Sequence, residues 1–292
     1  MNRLGFALLL LIFLSGCEKD INFELNNAPD VLVVDGNIEN DKPPVIVLTK
    51  SFDFFSNINP SLLVGSFIHG ADVLISNGTV TDTLKEYTLP LNSGYSYSYY
   101  SIDPLSPTAF LGEFDKTYSL KISAEGKEYI AQTTLPALEK TPDSLWWKKA
   151  PFSDDSSKVI VMVEASDPKG LGNYVRYFTK KNSGNFLPGE NSVFDDNIID
   201  GITYQLQVDP GVDRNNKVDF DSNYFKRGDT VTLKLCNIDK ATYTFWSSWE
   251  FAQQSIGNPF SQPNKVIGNI SNGALGAFYG YSAFYKTLII PQ

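Results

Sequence analysis

The chain has 292 residues, a formal net charge of −9 and an aromatic share of 13%, with fifteen tyrosines, twenty phenylalanines and four tryptophans. That length holds two domains of ordinary size, and acidity with no lysine- or arginine-rich block excludes nucleic acid as a partner. A single histidine, His69, excludes an imidazole-rich zinc site, and two cysteines, Cys17 and Cys236, are too few for a disulfide framework.

Arg3 precedes an unbroken apolar run from Phe6 to Leu14. The run is too short to span a bilayer; with its positive start and the small residues at its end, it reads as a secretory signal over residues 1–16. Its ending, Leu14-Ser15-Gly16-Cys17, resembles the bacterial lipobox. That resemblance implies cleavage before Cys17, diacylglycerol on its sulfur, and a membrane held through the lipid. Each buried methylene contributes about 0.8 kcal/mol, so two or three chains anchor durably. With Cys17 lipidated, Cys236 has no disulfide partner and stability rests on packing. Residues 17–29 form a polar tether. Within it Glu18-Lys19-Asp20 resembles the export signal after the lipidated cysteine of surface-displayed Bacteroidota-type lipoproteins, so an outer-membrane, surface-facing location is expected.

From Val31 the pattern is that of strands. Val31–Val34 and Val45–Leu48 are short β-branched runs bounded by Asp35-Gly36 and Pro43-Pro44, as expected of strands buried on both faces. Phe52 to Leu63 follows neither period and reads as a long loop. Ala71, Val73 and Ile75 alternate with polar residues up to Asn77-Gly78, a hairpin signal because both turn positions favour positive φ. Tyr95, Tyr97 and Tyr99 share one face of a period-2 segment. Such a face packs on a half-buried sheet, and the same ladder is a candidate stacking surface for a ligand such as a sugar. Tyr118 to Thr133 forms a second hairpin turning at Glu125-Gly126. Residues 30–138 are therefore expected to form an immunoglobulin- or fibronectin-like β-sandwich.

Leu135-Pro136 and Thr141-Pro142-Asp143 break the alternation and place a domain boundary near residue 140. Trp146 and Trp147 follow it, as candidates for docking the domains or touching a ligand. Residues 143–292 then read as a second β-rich domain, with strands at 159–163, 173–181, 203–208, 231–235 and 278–290. Between them Asp209, Asp213, Asn215, Asp219 and Asp221 line a carboxylate-dense loop. Oxygen-rich loops hold calcium, but this one lacks the central glycine and final glutamate of an EF-hand, so a solvated loop without metal is expected. Near 239–256 the spacing of Thr242, Phe245, Trp249, Ala252 and Ile256 predicts an amphipathic helix, capped by Asp239 and ended by Gly257, that covers a sheet. The fold class is thus mainly β, two sandwich-like domains, the second carrying one helix on its sheet. In the last strand Tyr279, Tyr281 and Tyr285 share a face.

Glycoside hydrolysis needs only two suitably spaced carboxylates, and Glu164 with Asp167 or Asp195 with Asp196 are nominal pairs. No G-x-S-x-G elbow or H-E-x-x-H pair accompanies them. No catalytic residue is assigned and no cofactor is expected. Cys236, in phase with Thr232 and Lys234, reads as packing, and His69 as structural.

Gly70-Ala71-Asp72-Val73, the run Tyr129 to Pro136, Asp167-Pro168 before Asn173-Tyr174, Gly228 to Val231, Ile238-Asp239 leading to Tyr243, Asn258 to Pro263, and Asn269-Ile270 with Gly273 to Gly276 together resemble the DUF4249 family of Bacteroidota lipoproteins. The resemblance covers nearly the whole chain after Cys17. It implies an outer-membrane lipoprotein of unassigned biochemistry, often encoded beside a TonB-dependent transporter, and supplies no catalytic residues. The expectation is a non-enzymatic binding or accessory component of such a transporter. The alternatives are a structural or adhesive surface module and a carboxylate-dependent hydrolase.

Overall fold

A computed structural model describes residues 30–52, 59–91, 94–151, 153–214, 223–256 and 264–292. The signal segment, Cys17 and the tether lie outside the described residues. Strands β1 (Leu32–Glu39) and β2 (Val45–Lys50) pair antiparallel, with Val34 opposite Leu48 and Gly36 opposite Ile46. Asp35-Gly36 does not end the first strand as expected. Gly36 instead marks a close approach inside it, where a Cβ would meet Ile46 Cδ1 at 3.0 Å and Phe278 Cδ2 at 3.1 Å. Nor is β1 buried on both faces. Leu32, Val34 and Ile38 are buried in one phase while Asp35, in the other, is exposed. Of the loop expected from Phe52 to Leu63, residues 53–58 lie outside the described residues, and its last part is a short helix, α1 (Pro60–Gly65). Asn59 caps it by accepting the Leu62 N–H at 2.9 Å, and Pro60 suits its first turn.

β3 (Asp72–Ser76) and β4 (Thr81–Thr83) form the expected hairpin, Asn77 accepting the N–H groups of Thr79 and Val80 across a four-residue loop. After β5 (Lys85–Pro90) and β6 (Ser96–Ser101), β7 (Lys116–Ala124) and β8 (Lys127–Leu135) turn at Glu125-Gly126, both at positive φ. The sheet ordered β4-β3-β7-β8 packs on β1, β2 and β6 across a core that includes Val34, Ile46, Leu48, Val73, Ile75, Tyr100, Tyr118 and Leu120. Each such side chain contributes roughly 1.5–3 kcal/mol by leaving water.

In the second half, β9 (Pro142–Lys149) lies along one edge of β10 (Lys158–Ser166), with β13 (Thr203–Val208) and β14 (Phe225–Lys226) along the other. This sheet packs on β11 (Tyr174–Lys181), β12 (Leu187–Phe194) and β15 (Thr230–Ile238) around Val159, Val161, Phe225, Val231 and Leu233. The last strand, β16 (Leu275–Ile289), joins the halves. It runs parallel to β1 from Leu275 to Tyr281, then antiparallel to β15 from Ser282 to Ile289. One eight-stranded sheet results, ordered β12-β11-β15-β16-β1-β2-β6-β5. Phe278 is accordingly buried in the first core. The passage near residue 140 is no loose linker: Lys140 is fully buried and its N–H and carbonyl both bond the Asn237 side-chain amide at 2.8 Å.

Helix α2 (Lys240–Gln254) begins at Asp239, whose carboxylate accepts the Thr242 N–H at 2.7 Å. It buries Thr242, Phe245 and Glu250 against β16, β11 and β12. Ile256, expected on the buried face, is exposed past the Ser255 cap, and Gly257 lies outside the described residues.

Candidate functional site

Strand period decides which residues of the eight-stranded sheet face its cores and which face outward. On β1, Leu32, Val34 and Ile38 enter the first core, leaving Val33, Asp35, Asn37 and Glu39 on the outer side. On β16, Phe278 faces the core, and Tyr279 and Tyr281 meet α2 on the outer side. Lys234 on β15 and Arg176 and Phe178 on β11 continue the same outer face.

Three depressions follow one another across it. The first, about 480 Å³, lies between α1 and β6 and is lined by Asp35, Val47, Leu63, Phe67, Tyr95 and Tyr97. The second, about 860 Å³, is bounded by Val33, Asp35, Phe245, Trp246, Trp249 and Ile267. The third, about 550 Å³, holds Asn37, Arg176, Phe178, Arg214, Lys234 and Tyr281. Asp35 borders the first two, and Trp246 and Trp249 border the last two, so neighbouring depressions share walls along one groove.

Its electrostatics are built from the floor. Tyr279 donates to Asp35 at 2.5 Å, and burial together with the Asp35 charge raises the phenol well above its ordinary pKa. Burial and the same carboxylate also raise Tyr97. Arg176 is only 3% exposed. Its Nε donates to Ser192 at 3.1 Å, its Nη1 to Tyr281 at 2.6 Å, and its guanidinium lies 3.4 Å from the Trp246 ring centroid. Ser192 in turn gives its hydroxyl to the buried Glu250 at 2.5 Å. Lys234 pairs with Glu39 at 2.6 Å and lies over the rings of Phe178 and Tyr281. Lys42 and Tyr285 share the same carboxylate. Among the described residues the Trp246 indole N–H is buried without a partner.

Tyr95 and Tyr97 line the first depression, and Tyr99 stacks between Tyr97 and Tyr87 at centroid distances of 6.1 and 5.5 Å. The tyrosine ladder therefore does not pack on the sandwich core. Ser98 and Tyr100, one step out of phase, are the buried residues. Trp146 and Trp147 do not join the groove. Trp147 packs on the second core beneath Arg227, and Trp146 lies under Lys148 on a different sheet. In the acidic loop, Asp209 accepts from Gln207 at 2.8 Å and Asp213 reaches the third depression, while Asn215, Asp219 and Asp221 lie outside the described residues.

The nominal carboxylate pairs do not form as paired. Glu164 accepts from Gln205, and Asp195 from Asn197 and Tyr243. Asp196 instead meets Asp167 and Asp200, with oxygens within 4.8 Å of one another. Buried Lys140 forms an ion pair with Asp167 there, and backbone N–H groups of Gly172 and Asn173 lower the Asp196 pKa against the effect of burial. These bonds tie the residue 140 passage to the loops beside it. His69 pairs with Glu86 at 2.5 Å on the surface.

Arg176, Lys234 and Trp246 were not singled out from sequence. The available signal was a cation amid apolar residues: Lys234 alone on β15, and Arg176 among the aromatics of β11. The fold and the groove define a two-sandwich β protein with an open aromatic face. Residues 18–287 match DUF4249, described as a domain of unknown function, and the chain belongs to that family. No curated protein matches it.

Proposed function

We propose that this chain is a lipid-anchored, non-enzymatic binding component of the bacterial outer membrane, held by Cys17, that takes its ligand in the groove of the eight-stranded sheet and works beside a TonB-dependent transporter. The observation that carries the binding role is the run of that groove: three depressions with shared walls, aromatic at both ends and open on the outer face among the described residues. Aromatic side chains supply large contact area at low entropic cost, as recognition surfaces require. The anchor is supported by the Leu14-Ser15-Gly16-Cys17 ending, and no helix among the described residues is long and apolar enough to cross a membrane. Transporter association rests on what the sequence resemblance implies, the matched domain being described only as one of unknown function.

The test is extraction of the tagged, lipidated protein in mild detergent, with mass spectrometry of what accompanies it. Stoichiometric recovery of a TonB-dependent transporter is expected, and Cys17→Ser should move the protein out of the membrane fraction. Recovery of the lipoprotein alone would overturn the transporter association and favour an adhesive or structural surface module.

A further inference from the structure

We propose that the third depression, around Arg176, is a site for a small aromatic carboxylate. This deepens the binding role given above and rests on it. Although the chain is acidic overall, with net charge −9, this depression gathers three cations, Arg176, Arg214 and Lys234, against two carboxylates, Glu39 and Asp213, and so carries one positive charge in excess. Glu39 on its floor is already shared by Lys234 and Lys42. Among the described residues no carboxylate lies within ion-pairing distance of the Arg176 guanidinium, and Glu250 is reached only through the Ser192 hydroxyl. A buried charge in that position is costly until it is paired. A carboxylate brought by a ligand supplies the missing partner through the strong, directional bonds that guanidinium makes to it.

The walls specify the rest of the molecule. Trp246, Trp249, Phe178 and Phe186 surround the cations, and Arg214 lies 5.1 Å from the Trp249 ring centroid. A sugar would need free acceptors for its hydroxyls, but the Glu39 carboxylate and the Tyr281 oxygen beside the cations are committed. Glu39 takes bonds from Lys234, Lys42 and Tyr285, and the Tyr281 oxygen takes one from Arg176. One anionic head on a flat apolar body satisfies what remains. The volume, about 550 Å³, is that of a small-molecule site.

The experiment is equilibrium dialysis of the full lipidated chain in mild detergent against benzoate, 4-hydroxyphenylacetate and indole-3-acetate, each beside its neutral amide. At least one acid should bind, its amide roughly tenfold or more weakly, because the charge-assisted bond is lost. Arg214→Gln should weaken the acid by a similar factor while leaving the amide's binding unchanged; because Arg214 also donates to the Gly189 and Glu190 carbonyls at 3.1 Å, the variant is compared with wild type at a temperature where both are folded. That variant decides the matter, since Arg176→Gln acts on a buried residue and risks misfolding. Equal binding of an acid and its amide, an acid indifferent to Arg214→Gln, or no binding by any of the three acids overturns the proposal. None of these outcomes touches the transporter association, which is read by co-purification.

Discussion

Glu39 lies beneath the groove with Lys234 at 2.6 Å and Lys42 at 2.8 Å, and Tyr285 donates to it as well. Burial works to raise its pKa, while the Lys234 charge and the hydrogen bonds work to lower it, and the net effect is a lowered value. A carboxylate whose folded pKa is lowered adds stability above its ordinary value of about 4.3, and that stability is lost as pH falls through the folded value. Glu39→Gln leaves Lys234 buried without its counter-charge, so an unfolding deficit of about 3–5 kcal/mol is expected at neutral pH. Denaturant titrations at descending pH should show the gap to wild type closing below the ordinary carboxylate value, as Glu39 itself becomes protonated. A gap that stays constant into strong acid would mean the charge is not its source. On the same face Cys236 is fully buried, and burial pushes its thiol up to about 12. Since the thiolate is the reactive form, native protein should resist a thiol reagent at mildly alkaline pH and react once denatured. Rapid labelling of the native chain would contradict that burial.

At the scale of elements, Asp239 performs two tasks with one carboxylate. Oδ1 caps α2 at Thr242, and Oδ2 accepts the Thr134 N–H at 2.7 Å and the Thr133 hydroxyl at 3.2 Å. The helix that walls the groove is thereby tied to the end of β8. Asp239→Ala removes the cap and leaves the Thr134 N–H without its acceptor, for an expected loss of about 2–4 kcal/mol. Asp239→Asn retains the cap and should recover half or more of that loss in chemical denaturation, whereas equal deficits would deny the cap its role. The cap, the helix and both hairpins were legible in the sequence because turn and cap chemistry is local. The tyrosine ladder was half legible. Its period gave the shared face, but only the burial of Tyr100 against a distant sheet decides that the ladder looks outward. Arg176 and Lys234 were illegible for a related reason. A cation on a strand reads as solvated surface until β16 and α2 bring Tyr281 and Trp246 over it. The Asp167–Asp196 meeting is likewise set by loops joined across the sandwich, which adjacency in the chain does not report.

For the whole molecule, the decisive feature is that β16 belongs to both halves. Its first part completes β1 and sends Phe278 into the first core, while its second part pairs with β15. The boundary near residue 140 therefore does not divide the chain into two independent folds. Residues 18–140 alone would lose β16, leaving the Gly36 stretch of β1 uncovered and a phenylalanine-sized gap in the core. A gap of that kind costs about 3–5 kcal/mol, a large share of a domain's stability. The fragment is expected to give no cooperative thermal transition. The full chain is expected to unfold once, although two-domain proteins commonly unfold in steps. Of the four tryptophans, Trp147 packs on the second core while Trp246 and Trp249 wall the groove beside β1, so in a chain carrying Trp246→Phe and Trp249→Phe fluorescence follows the second sandwich, and amide exchange at β3 and β7 follows the first. Coincident denaturation midpoints for the two signals support the shared strand, and separated midpoints rule it out. The groove depends on the same coupling. Asp35 and Tyr97 lie on one side of β16 and Arg176 and Lys234 on the other, so a chain that opens at this strand loses the groove before either half loses its core.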